Sequence, residues 1–205
     1  MKAYLKEFWT DKRVMFISLM FIIYSCSALF TPYEPWSWTA VIGGVVFFFF
    51  LEYFVHRFVL HGFFAKIMPK AHVGHDAHHH DPLNMTFLLT PNQYNVPYHF
   101  LLWVVFSLAF RSFHLGSSVM AGFTAYHLYY EWSHFVSHRP IQPITPWGKW
   151  MKKFHLLHHY KNDKHWFGVT HPVLDSVFGT DPSQNEIEKT VTTPVKKDSK
   201  QGNAN

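Results

Sequence analysis

Residues 36–56 read "WSWTAVIGGVVFFFFLEYFVH", and this stretch decides the fold. It carries a single formal charge, Glu52, and ends in histidine. At about 1.5 Å per residue, a helix from Trp36 to His56 covers roughly 30 Å, one hydrocarbon thickness of a bilayer. The stretch therefore reads as a membrane-crossing helix that delivers a glutamate and a histidine to one membrane face. Upstream, Val14 to Phe30 is uncharged and just long enough to cross, and Pro32 and Pro35 break the chain between the two runs. His56 then returns to the face from which Val14 departed. Downstream, a second apolar block starts near Pro97 with "YHFLLWVVFSLAF", turns at "RSFH" and returns through "LGSSVMAGFTAYHLYYEW" to His134. Its descending limb is short and fits either a full span or a partial dip. Either way, His134 comes out on the same face as His56.

Composition agrees with a membrane protein. The chain has 205 residues, 48% hydrophobic and 20% aromatic, more aromatic surface than a soluble domain of this size needs. Its one cysteine, Cys26, excludes intrachain disulfides and cysteine-based zinc sites. The basic start followed by an apolar run is superficially like a signal peptide. No small-residue cleavage site follows "MFISLMFIIYSCSALF", so it reads as a retained anchor. Of the 18 lysines and arginines, only Arg111 falls in a far-side turn. The positive-inside rule makes the other side cytoplasmic, and with it both termini and the histidines. Nucleic acid is then not needed to explain the net charge of +5. The expected organisation is a cytoplasmic N-terminus (1–13), a membrane catalytic domain (14–183) and a disordered polar tail (184–205). The fold class is an all-α integral membrane protein. Four membrane-embedded helical segments, in two hairpins, are capped by a cytoplasmic helical domain rich in histidine.

Four histidine groups converge on the cytoplasmic face. They are His56 and His61 (H-x4-H), His75, His78 and His79 (H-x-x-H-H), His134 and His138 (H-x3-H), and His155, His158 and His159 (H-x-x-H-H). On a helix, positions i, i+3 and i+4 share a face, so each H-x-x-H-H is expected to aim three imidazoles one way. The H-x4-H pair lies about 140° apart on a regular helix. It fits if the helix loosens after His56, or if its two members serve different metals. One H-x-x-H-H on a basic helix is more often a solvated face than a metal box. Two such boxes and two pairs at one face make a chance arrangement a poor explanation. Ten imidazoles are too many for one ion and suit two, and imidazole accepts iron, zinc or copper.

The neighbours divide by position. His80 falls outside the 75/78/79 pattern. His72, His99, His114, His165 and His171 read as structural or interfacial, and His127 lies about 10 Å deeper than His134. Glu52 and Glu131 stand one turn before His56 and three residues before His134. They fit either carboxylates accepting the second N–H of a ligating imidazole or membrane-end glutamates facing water. Phe63, Phe64, Tyr94 and Phe100 are candidates to line a lipid access slot. The run "WGKWMKKFH" (147–155) reads as an interfacial helix with tryptophans at headgroup level and lysines toward phosphates.

The order H-x4-H, H-x-x-H-H, H-x3-H, H-x-x-H-H resembles the histidine signature of the fatty acid hydroxylase/sterol desaturase superfamily. "FHLLHHYKND" followed by "FGVTHPVLDSVFGT" is most similar to its fatty acid 2-hydroxylase branch, and the resemblance covers roughly residues 40–180. It implies an O2-dependent membrane di-iron oxygenase hydroxylating a fatty acyl chain at C2, with zinc able to replace iron in isolated protein. The ten histidines above would be the ligands, and Glu52, Tyr130 and Glu131 second-layer or substrate contacts. Tyr130–Glu131 stands where the branch usually has aspartate after tyrosine, and His171 where it has a small polar residue. Since only about 13 residues precede the first span, electrons are expected from a separate cytochrome b5-like or ferredoxin-like protein. Carotenoid hydroxylase and sterol oxidase activities use similar boxes and stand as alternatives. A metal transporter fits less well, because its ligands belong near the bilayer midplane.

Overall fold

The computed structural model describes residues 1–190. Among them there is no strand. A short helix α1 (Lys2–Trp9) precedes two hairpins, α2 (Lys12–Phe30) with α3 (Ser37–Phe54), and α6 (Asn92–Phe110) with α7 (Phe113–Ser137). Between the hairpins lie a π-helical turn (Val55–Leu60), a 3-10 turn (Phe63–Lys66), α4 (Pro69–His80) and α5 (Met85–Leu88). Helices α8 (Pro146–Tyr160) and α9 (Val173–Phe178) follow. By length and composition, Lys12–Phe30 and Ser37–Leu60 could each cross a membrane. Helices α6 and α7, of 19 and 25 residues, form the second hairpin but fall short of that apolar standard. Proline 97 lies inside α6, which begins five residues before the expected start.

Helix α7 is the axis of the bundle. It packs against α2, α3 and α6, and every residue from His114 to Thr124 is buried. Small residues make that possible. A Cβ on Gly44 of α3 would collide with the Val119 carbonyl of α7, and one on Gly122 of α7 with the Val41 carbonyl of α3. The two helices thus touch backbone to backbone at reciprocal glycines, the close approach that membrane helices use in place of a hydrophobic driving force.

Polar ties hold the ends of the bundle. At the far turns, His114 lies between the hydroxyls of Thr31 (2.8 Å) and Ser37 (2.5 Å), and Ser112 donates to Glu34. His114 is therefore structural, as expected. At the near face, the Asp11 carboxylate caps α2 by accepting the Arg13 amide at 2.8 Å. The Arg13 guanidinium reaches across to the Met85, Thr86 and Leu89 carbonyls. The lysines of α8 divide: Lys149 and Lys153 are exposed, whereas Lys152 turns inward to the carbonyls of Val136, Arg139 and Ile141 at the end of α7. It closes α7 and is not free for phosphates. The tail expected to be disordered from Gln184 is tied down for its first residues. Lys161 donates to the Gln184 carbonyl, Thr190 donates to the Lys161 carbonyl at 2.8 Å, and Ile187 packs against Met151, Phe154 and Trp166. Residues 191–205 lie outside the described ones.

Candidate metal centre

All ten histidines of the four boxes meet at the near end of the bundle, as two groups of five. His56, His61, His75, His79 and His158 form one, and His78, His134, His138, His155 and His159 the other. Within each group one ring nitrogen per residue lies within 4.8 Å of all the others. The grouping corrects the expectation that each H-x-x-H-H aims three imidazoles one way. In each box the i, i+4 pair (His75 and His79, or His155 and His159) stays together. The residue between them (His78 or His158) crosses to the other group. Stacked faces of His79 and His159, 4.0 Å apart, join the two groups.

The H-x4-H pair is explained by backbone geometry. After Phe54 the helix widens, and the His61 amide bonds to the His56 carbonyl at 3.1 Å, five residues back. That π-turn brings two positions 140° apart on an α-helix onto one face. His56 and His61 thus serve the same group, so of the two arrangements open to them the loosened helix holds. His80, by contrast, is exposed and bonds to its own helix at the Asp76 carbonyl, 2.8 Å away.

Two carbonyls from one loop orient the first group. The His56 Nδ1–H donates to the Phe167 carbonyl at 2.5 Å, and the His158 Nδ1–H donates to the His165 carbonyl at 2.8 Å. A carbonyl only accepts, so both Nδ1 atoms carry the proton and both Nε2 atoms present bare lone pairs. Those lone pairs point at other imidazole nitrogens, His56 to His75 at 3.1 Å and His158 to His61 at 3.0 Å. Converging lone pairs in a buried site are what a cation resolves, and the donor set fits one such ion per group. Between the two carbonyls, Trp166 holds a left-handed backbone (φ 58°), rare for a bulky residue.

The two glutamates fit neither reading open to them: both are buried, and neither hydrogen-bonds His56 or His134. Glu52 accepts from the Thr170 hydroxyl at 2.7 Å and from its amide at 3.3 Å, so it fastens the loop rather than His56 itself. Glu131 lies 3.3 Å from His127 and accepts the Thr90 amide at 3.0 Å, with no hydrogen bond to His134. His171 accepts the Val173 amide and packs on Trp147 and Phe49, outside both groups. Sequence reasoning missed Asp175. It is fully buried and accepts the amides of Phe167 (2.8 Å) and Gly168 (2.7 Å) and the Thr180 hydroxyl (2.7 Å). Burial pushes its carboxyl up to about 6. Its only signal in the sequence was an acid followed by Gly179–Thr180, where a helix must end and fold back.

Burial, then mutual repulsion, pushes the imidazoles of His75, His78, His79, His155 and His159 well below the ordinary histidine range. They stay neutral in the folded chain while the unfolded chain takes up protons near pH 6.5. Protons therefore favour unfolding. Stability should be complete above about pH 6.5 and fall as pH drops below it. Chelator-stripped protein in detergent should accordingly melt at a lower temperature at pH 5.5 than at pH 7.5. Equal melting temperatures would contradict the buried, neutral state.

A cavity of about 1480 Å³ opens beside the groups. His56, His75, His134 and Tyr130 line one end, and Phe47, Leu101 and Leu102 lie along it down the bundle. Phe47 precedes His56 by nine residues, about 14 Å of helix. Tyr94 is on the wall, but Phe63, Phe64 and Phe100 are not, and they stay on the outside of the protein.

The chain is similar to known proteins in sequence and in fold. The fatty acid hydroxylase family model matches residues 41–180. The chain is 30% identical over 156 residues to dihydroceramide fatty acyl 2-hydroxylase FAH1 of Arabidopsis thaliana, covering 73% of this chain and 63% of that protein. It is 32% identical over 143 residues to ceramide very long chain fatty acid hydroxylase SCS7 of Saccharomyces cerevisiae, covering 63% of this chain and 34% of that protein. The chain thus spans less than two thirds of the length of either. A solved structure of full-length Scs7p, with only its hydroxylase domain visible, superposes with a TM-score of 0.72 at 25% identity, over 86% of this chain and 67% of that one. Because the matched residues take in all ten grouped histidines and the loop that orients them, the chain belongs to the fatty acid hydroxylase family.

Proposed function

We propose that this chain is a membrane di-iron oxygenase that uses O2 to hydroxylate a fatty acyl chain at C2. The observation that carries this reading is the cavity: members of both histidine groups form one end of an apolar channel that follows the bundle. The ten imidazoles would hold two ions, iron in the working enzyme and zinc as a substitute in isolated protein. When bound, the ions would supply the O2 activation and electron transfer that no side chain here can provide. The protein's own part is to orient and exclude. Phe47, Leu101 and Leu102 keep the channel apolar, and each methylene buried there contributes about 0.8 kcal/mol to binding. A chain laid along it, tail down the bundle, leaves its polar end beside Tyr130, His56 and His134. The carbon next to the carbonyl then lies nearest the metal positions. The names of the relatives, fatty acyl 2-hydroxylase among them, favour the same outcome.

All four long helices would be membrane-embedded, with the histidine groups and both termini on the cytoplasmic side. The 165–168 loop with its two backbone carbonyls, α4 and α8 would close the site from that side. Electrons would come from a separate protein of cytochrome b5-like or ferredoxin-like type. The test is a fatty acid profile of a bacterial host expressing the chain, beside one expressing His158→Ala. New 2-hydroxy acids that disappear with His158→Ala are expected. Their absence from cells whose membranes hold metal-loaded protein and a competent electron donor would overturn the reading.

A further inference from the structure

The two histidine groups are not equivalent in what orients them. In the first, His56 and His158 are locked by the Phe167 and His165 carbonyls. In the second, His134 bonds to the Leu88 backbone instead, and the Nδ1 atoms of His78, His138 and His155, like that of His79 in the first group, are buried and meet no acceptor among the described residues. The carbonyl loop is itself held by Asp175. One carboxylate oxygen takes the Phe167 amide and the Thr180 hydroxyl, and the other takes the Gly168 amide. Glycine is required at 168, because a Cβ there would run into the His171 carbonyl and come within 2.9 Å of the Asp175 carboxylate. The segment 175–180, "DSVFGT", is built for this. Gly179 takes a left-handed turn (φ 65°) that closes α9, which lets the Thr180 amide return to the Asp175 carbonyl at 2.8 Å. The Thr180 carbonyl then accepts, at 2.8 Å, the amide of Trp166, itself the left-handed residue between the two orienting carbonyls.

We propose that Asp175 is a positioning residue for one metal position only. By fixing the 165–168 backbone it aims the Phe167 and His165 carbonyls, and so sets the affinity of the group formed by His56, His61, His75, His79 and His158. The other group does not depend on it. This inference rests on the metal-binding reading above. Partners of ligating histidines change metal affinity by about 10–100-fold when lost. A residue that holds two such partners at once belongs in that range, although it touches neither histidine.

The experiment counts the two ions separately. Wild type, Asp175→Ala and Asp175→Asn are purified in detergent and saturated with Zn2+. Metal per chain is then measured during titration with a competing chelator, with a melting curve for each variant. Wild type should hold two ions. Asp175→Ala should keep one near wild-type affinity and hold the other about 10–100-fold more weakly. Asp175→Asn keeps one acceptor oxygen and turns an amide toward the remaining donors, so it should give the same split with a smaller loss. If Asp175→Ala does not fold, the asparagine variant decides. Parallel weakening of both ions in Asp175→Asn, or two ions at unchanged affinity, would overturn the proposal. A wild-type chain that takes up no metal would instead remove the metal-binding reading itself.

Discussion

His79→Ala is expected to abolish 2-hydroxy acid formation, while His80→Ala, one residue later, leaves it within about twofold, the ordinary range for an exposed position. The two residues are chemically identical and adjacent in "HDAHHHDP". His79 is buried, its Nε2 lies 3.2 Å from that of His75, and its ring stacks on His159 at the junction of the two groups. His80 is solvent-exposed and bonds to its own helix. Loss of a residue that merely orients a ligand costs about 10–100-fold in affinity or activity, so loss of the ligand itself should exceed about 100-fold. Hydroxy acid yield per unit of membrane-inserted protein, with metal content measured alongside, checks this. Equal losses at both positions would show that the box is read in the wrong register.

The second large effect lies far from the histidines, in the consecutive glycines 43 and 44. Gly44→Leu should prevent assembly of the bundle, whereas Gly43→Leu should be tolerated. A Cβ at Gly44 would fall on the backbone carbonyl of Val119, which cannot move aside as a side chain can. The helices α3 and α7 would have to part along their whole contact, and with them the ends that carry His56 and His134. Overpacking a core usually costs about 1–3 kcal/mol, and a clash with backbone belongs at or above the top of that range. Gly43 has open space in the direction of its Cβ. Detergent-solubilised yield and melting temperature separate the two variants, and similar values for both would mean that the helices do not meet at these glycines.

These two cases show why part of the molecule was legible from its residues and part was not. The apolar runs at 14–30 and 36–56 stood out by length alone, because a helix of that length with at most one charge is long and apolar enough to cross a membrane. The histidine boxes were legible because helical periodicity is local, and it places His75 beside His79 and His155 beside His159 regardless of the rest of the chain. Two neighbouring glycines, by contrast, are equivalent until a second helix approaches one of them.

The sequence by itself determined that ten histidines would gather at one end of a helical bundle, since their spacing and the lengths of the apolar segments are both consequences of helix geometry. With one cysteine, it also excluded intrachain disulfides and cysteine-based zinc sites. Only the tertiary structure decided how the ten divide into two fives, since His158 joins a group with His56 and His61, about a hundred residues away, and crosses from its own box to do so. It alone assigned the partners of the acids. Glu52 and Glu131 sit about one turn before His56 and His134 in sequence, yet Glu52 bonds to Thr170 and Glu131 to Thr90 and His127, because a buried carboxylate takes the nearest donor that packing supplies. Asp175, with no histidine near it in the chain beyond His171, acquires its place through two backbone amides that folding brings to it. Periodicity is written in the order of residues, whereas the pairing of buried polar groups is settled only when distant segments meet.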